Sequence, residues 1–155
     1  MKLAEALLLR AEYQQKIANL QGRILQNLKV QEDEKPFENP QDLLAELSGV
    51  SDNLCELIQT INARNNTAKL PDGKILSDAL VERDALMKKR QILSNIAQVA
   101  SQMDYRVMHT GIKINTVVSV ENLQKQIDEI SMQFRELDTQ IQSLNWTVDL
   151  YGSTD

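Results

Sequence analysis

Between Val120 and Leu144 the apolar residues fall at Val120, Leu123, Ile127, Ile130, Phe134, Leu137, Ile141 and Leu144, at intervals that alternate three and four. Such a period lies along one face of an α-helix; a strand, whose side chains alternate every second residue, cannot gather it on one side. Sustained over more than three heptads, it is the a/d seam of a helix that packs against other helices. Ser119 stands where a helix N-cap is wanted, and Glu121 suits the positive end of the helix dipole. The pattern predicts a helix over 119–146. It marks Leu123, Ile127, Ile130, Phe134, Leu137, Ile141 and Leu144 as a candidate interface.

Three further helices read from the same period. Leu3, Leu7, Ile17, Leu20, Ile24 and Leu28, with Tyr13 in phase, predict a helix over about 2–30. Asn39-Pro40 is a start signal, a capping amide followed by a residue that has no N–H to leave unpaired. It opens a helix over 40–65 with Leu43, Leu47, Val50, Leu54, Leu57 or Ile58, and Ile61 on its apolar face. Ser77 caps a third, over 77–104, carrying Leu80, Leu86 or Met87, Leu93, Ile96, Val99 and Met103. Its outer face is expected to be charged, with Glu82, Arg83, Lys88, Lys89 and Arg90. Asp84 is expected to pair with Lys88 one turn on, the alternative being an inward turn of Arg83 or Asp84.

The connections are distinct. Pro71-Asp72-Gly73 is a turn, since proline presets φ and glycine accepts the left-handed conformation. Its flanks predict a small β-hairpin over 66–76. Residues 110–118 lose the helical period and alternate instead, which predicts an extended segment. The tail, 147–155, is polar and expected to be flexible. Short links between long helices favour antiparallel neighbours. The reading is an all-α chain: a long, coiled-coil-like antiparallel four-helix bundle in one domain over 1–146, with the hairpin and extended segment as insertions. With 6 aromatic residues in 155 the core must be aliphatic. A thin bundle buries little surface, and a lone hairpin is marginal in water, so self-association into a homo-oligomer is expected.

Reactive constellations are scarce. One cysteine, Cys55, excludes an internal disulfide and a multi-cysteine zinc site, and its apolar helical context predicts a buried, inert thiol. One histidine, His109, excludes paired-histidine metal motifs; the residue three before it is Arg106, not the Glu of a di-iron bundle. No Glu-x-x-Glu or Glu-x-x-Asp pair exists to share magnesium. No glycine-rich phosphate loop exists either. No catalytic, cofactor-binding or metal-binding residue is therefore assigned. Arg106, His109 and Lys113 form a candidate anion site, one that would need completion between subunits. A net charge of -5 argues against nucleic acid, and Lys88-Lys89-Arg90 fans around a helix without aromatic neighbours. Glu5 and Arg10 interrupt the opening apolar run too early for a secretion signal, and no stretch approaches the roughly 18 apolar residues of a membrane span. A cytoplasmic setting is the expectation.

Several segments resemble one family of small uncharacterised bacterial helical proteins, some labelled septicolysin. These are Met1-Lys2-Leu3-Ala4-Glu5-Ala6-Leu7-Leu8-Leu9-Arg10-Ala11, Leu43-Leu44-Ala45-Glu46-Leu47 and the stretch from Ile61-Asn62 to Gly73. They continue with Ser77-Asp78-Ala79-Leu80-Val81-Glu82-Arg83-Asp84, Leu137-Asp138-Thr139-Gln140-Ile141-Gln142 and Asn145-Trp146. The resemblance spans about Met1 to Trp146 and implies a bacterial source and a helical fold, with no catalytic residues to carry over. The septicolysin label implies a membrane-active cytolysin. The sequence itself has no amphipathic segment of about ten alternating residues for a membrane barrel. Its regular seam and lack of reactive groups point first to a non-enzymatic, self-assembling interaction or scaffold protein. The cytolysin comes second, and an enzyme or anion binder with an inter-subunit site third.

Overall fold

The computed structural model describes residues 1–102 and 111–152. Among them lie four helices: α1 (Leu3–Gln26), α2 (Pro40–Asn65), α3 (Leu76–Ser101) and α4 (Val120–Thr147). The chain is all-α. Two compact units are distinguished, Met1–Leu76 with Gln142–Asp155, and Ser77–Ile141.

In the first unit α1 and α2 run antiparallel. Lys16 pairs with Glu46 at 3.1 Å, and Arg23 pairs with Glu38, so numbers rise on one helix as they fall on the other. Between them Leu20, Ile24, Leu43 and Val50 form a core, with Tyr13, Ile17 and Leu47 packed against it. Each buried aliphatic side chain contributes about 1.5–3 kcal/mol. The exposed ion pairs contribute about 0–1 kcal/mol each, so the aliphatic core decides the pairing. The α2 start is built as its residues dictate: Asn39 Oδ1 accepts from the Gln41 N–H at 3.0 Å, and Pro40 is the first helical residue.

α1 ends at Gln26, short of the expected Val30, because the buried Asn27 takes over the backbone. Asn27 Nδ2 donates to the Arg23 carbonyl at 2.8 Å, and its Oδ1 accepts from the Glu38 N–H at 3.0 Å. A side-chain amide that bonds both the helix end and the returning chain offers the backbone an alternative to another turn. Arg23 also bonds the Glu38 carboxylate and holds it below the usual carboxylate range.

The hairpin expected over 66–76 is not formed; one antiparallel bridge, Lys69 to Ile75, stands in its place. Leu70 N–H donates to Lys74 O at 2.8 Å and Leu76 N–H to Ala68 O at 2.9 Å. The turn at Gly73 (φ 88°) is as expected, but α3 begins at Leu76 and leaves the returning arm too short for a strand. Ala68, Leu70 and Leu76 turn inward and fix the link to the unit.

The tail also differs from expectation. Leu3 N–H donates to Val148 O at 3.0 Å, and Leu150 N–H to Met1 O at 2.9 Å, so 148–150 lies antiparallel against 1–3. Leu150 is 3% exposed, and Lys2 Nζ reaches both Asp149 Oδ1 (2.9 Å) and the Thr147 carbonyl (3.0 Å). A polar stretch with one well-placed leucine is thus a strap, while Trp146 stays exposed.

In the second unit α3 and α4 are antiparallel. Arg83 bonds Asp138 at 2.8 Å, and Arg90, two turns on, lies over Phe134, one turn back. Along α3 the residues Ala79, Arg83, Leu86, Arg90, Leu93, Ala97 and Ala100 are buried or half-buried, again at intervals of four and three. Arg83 and Arg90 therefore sit within the apolar row instead of on the outer face. Their long stems cover apolar surface while their heads find a carboxylate and a ring. Residues 111–118 form neither helix nor strand, so the expected extended segment has no ladder. Thr116 Oγ1 donates to the Ala100 carbonyl at 3.1 Å, and Ser119 Oγ caps α4 by accepting from the Asn122 N–H at 3.2 Å.

Candidate functional site

The seam on α4 is already engaged inside the chain. Ile130 and Ile141 are buried, Leu123, Ile127, Phe134, Leu137 and Leu144 half-buried, and Phe134 carries Arg90 on its ring. Little of it is left for another molecule. Of the candidate anion trio, Arg106 and His109 lie outside the described residues, and Lys113 is exposed in the irregular stretch before α4. Cys55 is exposed, contrary to expectation, with Sγ accepting from Gln59 Nε2 at 3.6 Å. The buried face of α2 runs through Leu43, Val50, Leu57 and Ile61. Cys55 stands two residues from Leu57, about 200° round the helix, and so faces away. Among the described residues no group of three His, Cys, Asp or Glu side chains could hold a metal ion. No helix of the described chain is long and apolar enough to cross a membrane.

The feature that stands out is a second row on α3. Val81, Ala85, Lys88, Ile92, Asn95 and Val99 recur at intervals of four and three, and all are exposed. Val99, a residue expected in the core, is 69% exposed. One helix thus carries two heptad-like rows: one with arginines, covered by α4, and one almost free of charge and exposed among the described residues. Spacing alone does not separate the second row, because its apolar members interleave with the first. Ile96 and Val99 belong to the outer side yet continue the spacing of Leu93.

At its C-terminal end the row runs into an apolar groove of about 560 Å³. Ile96, Val99 and Ala100 form one wall; Thr116, Val117 and Val118 form the other, with Val117 96% exposed. The Thr116 bond to Ala100 fixes the two walls together. Acidic side chains Glu82 and Asp84 flank the row at its start, and Lys89 flanks it one to two turns later beside Lys88.

The strap gives a pH test. Hydrogen bonding to Lys2, and then its charge, hold the Asp149 carboxyl below the usual carboxylate range. A carboxyl lowered in the folded state stabilises it above the ordinary carboxylate pKa, and the contribution is lost as pH falls through the folded value. Carbon NMR of the Asp149 carboxyl is expected to give a midpoint below that of an unpaired aspartate. In Lys2→Gln the midpoint is expected to rise to the ordinary range; an unchanged midpoint would refute the pairing.

Comparison with known proteins places the fold. The structure is similar to the crystal structure of a functionally unknown conserved protein from Corynebacterium diphtheriae, with a TM-score of 0.90 and 36% sequence identity over 96% of this chain and 97% of that one. No match is found among curated proteins. The model of a family of unknown function, DUF6847, matches residues 10–150. Since that match takes in nearly the whole chain, the protein belongs to the family of unknown function DUF6847.

Proposed function

We propose that the protein is a non-enzymatic, self-assembling interaction protein of the cytoplasm, whose assembly surface is the outer row of α3 and the groove at its end. The observation that carries the reading is the exposed Val81, Ala85, Lys88, Ile92, Asn95, Val99 row at coiled-coil spacing. The occupant is a second copy of this chain. Reversed on a copy of itself about its midpoint near Arg90, the row sets Val81 against Val99, Ala85 against Asn95 and Lys88 against Ile92, each twice by symmetry. Single polar residues in such a row, here Lys88 and Asn95, fix register and orientation at some cost in stability.

Light scattering on a sizing column tests this. The expected mass is a multiple of 17.6 kDa. Ile92→Glu with Val99→Glu is expected to give a monomer of unchanged helicity. A wild-type monomer at all concentrations would remove the reading. Leakage of dye from liposomes on adding the protein would replace it with the cytolysin suggested by the septicolysin label.

A further inference from the structure

In the first unit a cleft of about 300 Å³ opens between α1 and α2 beneath the strap. Leu9 and Leu57 give it an apolar wall, and Tyr13 and Tyr151 give it two aromatic ones. Asn53 and Glu56 supply the polar groups. Met1 and Thr60 complete the lining, but the Thr60 hydroxyl is spent on the Glu56 carbonyl at 2.9 Å. No lysine or arginine lines the cleft, and no described residue bonds or ion-pairs with the Glu56 carboxylate.

The strap explains why Tyr151 is there. Pairing of 148–150 with 1–3, and burial of Leu150, bring the next residue to the cleft wall. Two aromatic rings, an amide and an unpaired carboxylate around an apolar floor make a recognisable chemistry. The faces of the rings attract a cation, the carboxylate neutralises it, and the leucines take its carbon substituents. No basic side chain lines the cleft, and the one charge in its lining besides the Met1 α-ammonium is the Glu56 carboxylate, which favours a cation over an anion.

We infer that this cleft binds a small organic ammonium ion, its charged head against Glu56 and the Tyr13 and Tyr151 rings and its alkyl part on Leu9 and Leu57. The site lies in the first unit and does not depend on self-association through α3. Choline is the probe, read by amide NMR at Asn53 and Leu57. Saturable shifts at both are expected. The neutral isostere of choline, with carbon in place of the ammonium nitrogen, is expected to bind at least about tenfold more weakly. Glu56→Gln is expected to weaken choline about tenfold and Tyr151→Ala about threefold. Both residues are exposed, so thermal unfolding serves as the control that each variant folds. Phosphatidylcholine vesicles separate the sources: co-sedimentation lost in Glu56→Gln assigns a lipid headgroup, and choline binding without co-sedimentation assigns a free ion. Equal affinity for the neutral isostere, an unaffected Glu56→Gln, or no shift at about 10 mM choline would overturn the inference.

Discussion

Leu150→Ala is expected to lower the unfolding free energy by about 3 kcal/mol, although it lies beyond the last helix. The leucine is 3% exposed, and it closes the end of the first unit beside the fully buried Leu3. Truncation removes the transfer energy of its lost carbons and leaves a cavity that two short, paired segments cannot collapse to fill. The main-chain bonds from Leu3 to Val148 and from Leu150 to Met1 then lose their one buried tail side chain and lean on the exposed contacts of Lys2 with Asp149 and the Thr147 carbonyl. Urea unfolding followed by circular dichroism measures the loss. Tyr151→Ala is the neighbouring control and is expected to change stability by less than about 0.5 kcal/mol, being exposed. A Leu150→Ala variant as stable as that control would mean the strap is not docked in solution.

The strap also shows what the sequence could and could not reveal. The four helices are legible because each carries a long apolar row, and two of their starts are written in side chains, Asn39-Pro40 and Ser119. The strap has no such row. A single leucine among Val148, Asp149, Tyr151 and Gly152 becomes structural only because the other end of the chain lies beside it, a pairing across the full length of the sequence that no local pattern encodes. The failed hairpin is the converse. Its turn residues are right, but strand length depends on where α3 starts, and the buried Leu76 draws that start forward. Cys55 and Val99 were misplaced for a shared reason: on a helix with apolar residues on more than one side, spacing alone does not say which row faces inward. The candidate assembly row on α3 and the aromatic cleft both lie in that ambiguity. They become visible only once α4 and the strap are in place.

The arginines within the inner row of α3 yield the second large effect. Asp138→Ala is expected to cost about 2 kcal/mol, more than an ordinary surface ion pair. Arg83 and Asp138 are only 23% and 33% exposed at their side chains, and their bond is a direct 2.8 Å contact between α3 and α4. Arg83 Nε is buried without a hydrogen-bond partner, so removing the carboxylate leaves a guanidinium that loses its short contact as well. Arg83→Leu is expected to cost less than Asp138→Ala, because a carboxylate at this half-exposed position turns to water more readily than an arginine held among apolar neighbours. Replacing both by leucine is expected to return stability to within about 1 kcal/mol of wild type, since paired charges in apolar surroundings gain little over a packed hydrophobic pair. A double-mutant cycle of Arg83→Leu and Asp138→Leu, singly and together, isolates the coupling, expected near 1 kcal/mol or above, from the other contacts each side chain makes. If the two single losses simply add, the pair is incidental, and the antiparallel register of α3 and α4 rests on the aliphatic seam and the Arg90–Phe134 stack alone.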